Sequence, residues 1–191
     1  MASIATSACW GLVIVTWVVA ALYWRRKSHG SRQGRPFWAT VLVVAAIVVA
    51  RLIWRDVADL TDHSRWIVLP GLALLVLSTA FTIWARLSLG RMWSSMPDML
   101  QADHQLRIDG PYAITRHPIY TGLLGMVVGT VFVNGLGSSL GFLVIAAVFL
   151  VVRIPTEERL MSKTFPDAYR RYRERVPLLV PGLHLHRRHP A

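Results

Sequence analysis

The sequence predicts an all-α fold: a polytopic membrane bundle of five transmembrane helices, with amphipathic helices at its cytoplasmic C-terminal end. Three observations carry that prediction. Of the 191 residues, 54% are apolar and 16% charged, a balance outside the usual range for a soluble domain. Five apolar runs approach the length of about 20 residues that a helix needs to cross roughly 30 Å of hydrocarbon. Lys and Arg gather in alternate loops between those runs, as expected when cytoplasmic loops retain positive charge.

The runs cover residues 7–24, 37–54, 67–85, 119–134 and 138–154. No Lys or Arg precedes the first, so it reads as a permanent span and not as a cleaved signal. Cys9, at the start of that run, is the single cysteine, which excludes an intrachain disulfide or a cysteine-rich metal site. Arg51 ends the second run beside Arg55, where it either snorkels to the interface or serves as a buried functional charge. Gly122, Gly125 and Gly129 recur at helical spacing in the fourth; they permit close helix packing, admit a cofactor between helices, or do both. Asn134-Gly135-Leu136-Gly137-Ser138-Ser139 is a turn signal, so the last two runs form a tight helical hairpin.

Loop charge sets the orientation. The first loop holds Arg25, Arg26, Lys27, Arg32 and Arg35; the second sets only Arg55 and Arg65 among Asp56, Asp59 and Asp62. The third holds Arg86, Arg91, Arg107 and Arg116, the hairpin turn holds none, and the tail from Arg153 onward holds nine basic residues. That alternation requires an odd number of spans and places the N-terminus outside and the tail in the cytoplasm, as in an integral protein of the cell membrane. The net charge of +11 lies beside apolar runs and not along a soluble face, so anionic membrane lipid, not nucleic acid, is the expected partner. The organisation expected is three spans in residues 1–85, a catalytic core in 86–182 and a tail in 183–191.

Chemistry is sought in the polar segments 86–118 and 153–182. Met92, Met96 and Met99 mark an interfacial amphipathic helix that Pro97 interrupts. Pro118 suits the first turn of the fourth helix. His117 would then lie near that helix's N-terminus, where free amides and the dipole favour an anionic group. Glu157 and Glu158 follow Thr156; either Thr156 caps a helix whose first turn is acidic, or the two carboxylates face inward and hold a cationic amine or ribose hydroxyls. Residues 165–177 read as a short helix stopped by Pro177. Tyr169, Tyr172 and Val176 share one face and Arg170, Arg171 and Glu174 occupy much of the other, while Arg173 and Arg175 either meet anionic lipid or turn back toward a substrate carboxylate.

Taken together, Gly110-Pro111-Tyr112, Arg116-His117-Pro118-Ile119-Tyr120-Thr121-Gly122, the hairpin, Glu157-Glu158 and Tyr169 to Pro177 resemble the isoprenylcysteine carboxyl methyltransferase and phospholipid methyltransferase families. Arg86 to Ser94 is similar to the segment leading into the core of bacterial members. The resemblance covers residues 86–182, and it implies an S-adenosylmethionine-dependent methyltransferase acting on a lipophilic or lipid acceptor. It implies that Tyr112, His117, Tyr120, Gly122, Glu157 and Glu158 bind the cofactor, that Arg116, Tyr112 and the Arg173 to Arg175 segment close the pocket and orient the acceptor, and that Arg116, Glu158, Arg173 and Arg175 are the catalytic residues. No metal is implied. The chain lacks the GxGxxG stretch of a soluble dinucleotide-binding domain, and it departs from the family in having Phe165-Pro166 where Phe-Gly is common.

Two rival classes share parts of this pattern. Membrane sterol-type reductases have a similar hairpin and a His-Pro-x-Tyr segment but use a nicotinamide cofactor and usually carry Asn where this chain has Ile119. A non-catalytic protein of the same fold is the other. His184, His186 and His189 alternate with Arg187 and Arg188, and adjacent positive charge opposes a bound cation there.

Overall fold

The structure, a computed structural model, describes residues 2–27, 64–90 and 106–183. The predicted second span, Met92 to Met99 and the tail histidines lie outside the described residues. Among those described, all regular structure is helical: α1 Ala2–Lys27, α2 Arg65–Leu89, α3 Pro111–Ile114, α4 Pro118–Asn134, α5 Leu136–Thr164 and α6 Pro166–Arg175.

The α1 window Ser3–Ala20 and all of α2 are long and apolar enough to cross a membrane, and α4 is a shorter apolar helix. Leu12, Val15, Val18, Leu69, Leu77, Val148 and Val151 point outward and are exposed. Such continuous apolar surface is stable in lipid and not in water. The chain is accordingly an integral membrane protein.

Among the described residues the α2–α4 pair is the most extensive helix contact, and small residues make it possible. A Cβ added at Gly129 would lie 2.8 Å from the Leu75 amide nitrogen and 2.9 Å from the Gly71 carbonyl oxygen, and one at Gly122 would lie 2.0 Å from Thr82 Oγ1. Backbones can approach this closely only where no side chain intervenes. Polar groups inside the bundle are satisfied locally: Thr79, Thr82 and Thr130 donate to the carbonyls of Leu75, Ser78 and Met126, four residues back. Trp10 Nε1 donates to Thr130 Oγ1 at 3.1 Å, tying α1 to α4. Val13, Leu75 and Met126 form the apolar centre between these three helices.

Two expectations need correction. Arg86, expected in a cytoplasmic loop, is fully buried in α2, because the helix runs on to Leu89. Its guanidinium lies over the Trp17 ring at 5.8 Å and donates to the Gly90 carbonyl at 3.4 Å. The second concerns Thr156 as a helix cap: no new helix starts at the end of the fifth apolar run, because α5 continues through Pro155 to Thr164. Thr156 is therefore no cap; its hydroxyl donates to Val152 within the helix. Glu157 and Glu158 lie well inside α5, where dipole complementarity at a first turn cannot explain them.

The hairpin is tighter than its turn signal implied. Only Gly135 separates α4 from α5, at φ 93°, a conformation open to glycine at little cost. The predicted last helix is present as α6, with Pro166 in its first turn. Its Tyr169, Tyr172 and Val176 face is buried against Leu106, Met161 and Phe165.

Candidate active site

Arg116 and His117 occupy the short link between α3 and α4, and the chain after α6 fastens that link from outside. The Arg116 amide donates to the Pro177 carbonyl at 2.9 Å and the His117 amide to the Leu178 carbonyl at 3.2 Å. Thr121 Oγ1 donates to the Leu179 carbonyl at 2.6 Å. With these amides taken by backbone carbonyls, the anionic group expected near His117 at the start of α4 is met by its ring and not by the link amides. The carboxylates that His117 does meet approach its ring, from α5.

Both ring nitrogens of His117 face them: Nε2 lies 3.0 Å from Glu158 Oε1 and Nδ1 lies 3.6 Å from Glu157 Oε2. Only an imidazolium carries a proton on each nitrogen. Burial opposes that charge, but hydrogen bonding to Glu157 and Glu158, with their charges, outweighs burial and holds the His117 pKa above the ordinary imidazole value. The ring also stacks on Tyr120, with centroids 5.6 Å apart.

Each carboxylate has further partners. Tyr120 donates its hydroxyl to Glu157 Oε1 at 2.7 Å, and Arg153 Nε donates to the same oxygen at 2.8 Å. Arg116 pairs with Glu158 Oε2, where Arg173 Nε also lies at 3.3 Å, and the Tyr169 hydroxyl donates to Glu158 Oε1. Burial raises the pKa of a carboxyl group, yet the bonds from His117 and Tyr169 and the charge of Arg116 prevail at Glu158 and hold it at about 2. Glu157 is lowered in the same way, against burial, by His117, Tyr120 and Arg153. Burial first, and then the charge of Glu158, push the Tyr169 phenol well above its usual pKa, so it keeps its proton.

The fold thus brings together Arg116, His117, Tyr120, Glu157, Glu158 and Arg173 of the residues singled out in the sequence. Gly122 is buried toward Thr82 and Ser78 of α2. Tyr112 is buried at the edge of the cluster, its carbonyl accepting the Tyr172 hydroxyl at 2.6 Å. Arg175 is exposed at the end of α6 and makes none of these contacts. Sequence reasoning missed Arg153 and Tyr169 as members of the cluster. Arg153 stands one helical turn before Glu157, a spacing that favours an ion pair; nothing local marks the Tyr169 hydroxyl. An open apolar groove lined by Val144, Ile145, Val148, Phe149 and Val152 runs along α5 and ends at Arg153.

Fold and site define the class: an integral membrane protein, helical throughout its described residues, with an ion-paired polar cluster at one end of the α4–α5 hairpin. The phospholipid methyltransferase family matches residues 66–168, and the chain belongs to that family. It is 34% identical to protein-S-isoprenylcysteine O-methyltransferase B of Arabidopsis thaliana over 118 residues, 61% of this chain and 60% of that one. It is 30% identical to the cobalt-zinc-cadmium resistance protein CzcN of Cupriavidus metallidurans over 159 residues, 76% of this chain and 63% of that one. The chain therefore spans less than two thirds of the length of these curated relatives. The solved structure of the eukaryotic intramembrane Ras methyltransferase, an isoprenylcysteine carboxyl methyltransferase, shares the fold: the TM-score is 0.61 at 18% identity, covering 94% of this chain and 68% of that one.

Proposed function

We propose that this protein is an S-adenosylmethionine-dependent methyltransferase acting on a membrane-embedded lipophilic acceptor, and that the acceptor carries a carboxylate of the prenylcysteine type. The reading rests on the meeting of His117 with Glu157 and Glu158 across the hairpin, in a chain whose relatives include named methyltransferases. It includes five spans, an external N-terminus, a cytoplasmic C-terminus, and a catalytic core in residues 86–182.

The donor set fits the cofactor. Carboxylate oxygens of Glu157 and Glu158, with Tyr120 and His117 beside them, suit an ammonium group and ribose hydroxyls, and Tyr112 and Gly122 support that wall. When bound there, S-adenosylmethionine would supply a methyl group already activated by its sulfonium for direct transfer to the acceptor. The protein's own task is to align the partners and exclude water. Arg116 and Arg173, two guanidinium groups beside Glu158, suit an anionic acceptor, and the groove ending at Arg153 suits an apolar tail.

Protonation states favour a carboxylate. An amine or phenol acceptor needs a general base with a pKa near the working pH. Glu158 at about 2 is too weak a base, while His117, raised above its ordinary value, holds its proton. A carboxylate is already anionic at neutral pH and needs no base.

The test uses purified protein in mixed micelles with methyl-labelled S-adenosylmethionine, offered either an S-prenylated cysteine with a free carboxylate or phosphatidylethanolamine. Label should enter the prenylated cysteine and be released by alkali as methanol, the mark of an ester. Label that resists alkali on the amine lipid would refute the carboxylate reading, and no transfer to either acceptor would count against methyl transfer itself.

A further inference from the structure

We infer that Thr115 and Thr121, which flank the Arg116-His117 link, are positioning residues: their paired hydroxyls lock the chain after α6 onto the link and so hold the His117 ring between Glu157 and Glu158. The inference needs no methyl transfer, since it concerns how the polar cluster is held and not what it binds.

The link is bound to that chain along four successive carbonyls. Val176 accepts from Arg116 Nε at 3.1 Å, Pro177 from the Arg116 amide at 2.9 Å, Leu178 from the His117 amide at 3.2 Å and Leu179 from Thr121 Oγ1 at 2.6 Å. Arg116 and His117 themselves supply the first three. The last is the shortest; it extends the attachment into the first turn of α4 and depends on one hydroxyl.

Thr121 uses that hydroxyl differently from the other threonines of the bundle. Thr79, Thr82 and Thr130 donate at 2.7 Å to carbonyls four residues back, the ordinary choice inside a helix. For Thr121 the corresponding carbonyl, of His117, lies at 3.2 Å and already accepts from the Thr121 amide at 2.9 Å. Its proton therefore leaves the helix and goes to Leu179. A threonine hydroxyl donates one proton and accepts through its lone pairs, so Thr121 Oγ1 accepts from Thr115 Oγ1 at 3.2 Å. The other acceptor near Thr115 Oγ1, the Leu178 carbonyl, is farther away at 3.4 Å. Thr115 is fully buried, and its oxygen accepts in turn from the His117 amide at 3.2 Å. One directed chain thus runs from the His117 amide through both hydroxyls to the Leu179 carbonyl. Removing either hydroxyl breaks it and strands a partner that water does not readily reach.

What this chain holds is the one residue on which the cluster converges. The His117 ring faces Glu157 and Glu158 of α5 and stacks on Tyr120 of α4, while Arg116 and Tyr169 of α6 share Glu158 with it. Its raised pKa requires both carboxylates to stay close, against the effect of burial. A link that slips on its support moves the ring away from them and lets the pKa fall toward the ordinary imidazole value.

The experiment compares the full-length protein in micelles with Thr115→Val, Thr121→Val, Thr115→Ser and Thr121→Ser. Valine keeps the shape and removes the hydroxyl; serine keeps the hydroxyl. The His117 ring is titrated by nuclear magnetic resonance of labelled histidine, its signal assigned through His117→Asn, and amide exchange is followed at Arg116 and His117. Each valine variant should titrate His117 at lower pH than the native protein and speed exchange of the two amides about fivefold or more, and each serine variant should behave as native. Native titration of His117 in a valine variant overturns the positioning role of that residue, even where its melting temperature falls. Serine variants that behave like the valine ones overturn the assignment to the hydroxyls. Should a valine variant fail to fold, alanine at the same position replaces it under the same criteria. Absence of methyl transfer by the unaltered protein counts against the proposed function alone, and the titration still decides the threonine pair.

Discussion

Two glycines of the same helix, one turn apart, should respond oppositely to the same added methyl group. A Cβ at Gly129 would lie 2.8 Å from the Leu75 nitrogen, 2.9 Å from the Gly71 oxygen and 3.0 Å from the Leu75 Cα, all backbone atoms of α2. At Gly125 the nearest atom is Ser78 Oγ at 2.2 Å, followed by Ser78 Cβ at 3.1 Å; a hydroxyl can rotate aside, whereas a helix backbone cannot. Alanine gains about 1 kcal/mol over glycine in a helix interior at either position. Overpacking that displaces backbone costs about 1–3 kcal/mol, and at Gly129 we place it at the upper end because three atoms must move together. Gly125→Ala should therefore remain within about 1 kcal/mol of the native protein, while Gly129→Ala loses about 2 kcal/mol net. In a chain of this size that loss lowers the thermal midpoint by about 4–8 °C. Melting of the two purified variants in the same detergent checks it. Equal midpoints, or a lower midpoint for Gly125→Ala, would refute the account of the α2–α4 contact.

The ion-paired cluster makes stability depend on pH from both sides. Glu158 is lowered from 4.5 to about 2, which corresponds to about 3 kcal/mol of stability present above the unfolded value and lost as pH falls toward the folded one. The native protein and Glu158→Gln should therefore converge in melting temperature as pH falls from 5 toward 2 (about the folded pKa), and a constant gap would contradict this. His117 is raised, so its contribution is complete below the ordinary imidazole pKa and disappears as pH rises through the folded value. Native protein should lose more stability than His117→Asn over that alkaline range, as read by denaturant or thermal midpoints. Tyr172→Phe removes the 2.6 Å bond to the buried Tyr112 carbonyl and should cost about 1 kcal/mol or somewhat more, measured by the same melts.

Much of the architecture was legible along the chain. The third and fourth apolar runs, 67–85 and 119–134, fall within α2 and α4, because the period and length of an apolar run are local properties. The Tyr169, Tyr172 and Val176 face of α6 was readable for the same reason, and it is buried. Pro118 and Pro166 stand in the first turns of their helices, where a missing N–H costs nothing. Arg86 shows the limit of this reading. Counted as a loop cation, it is a buried residue of α2, because the Trp17 face that receives it comes from a helix some seventy residues earlier in the chain.

The sequence by itself determined a helical membrane protein, its hairpin, and the residue types of the site: a His-Pro link, a Glu pair and a late basic helix. Tertiary structure alone decided that His117 stands between Glu157 and Glu158, that Tyr169 joins them, and that the carbonyls of Pro177 and Leu178 occupy the link amides. The reason is physical. Helical periodicity is encoded within a few neighbouring residues, whereas the approach of groups some forty to sixty residues apart depends on how closely α2, α4 and α5 pack, and on the single glycine at φ 93° that turns α4 back along α5.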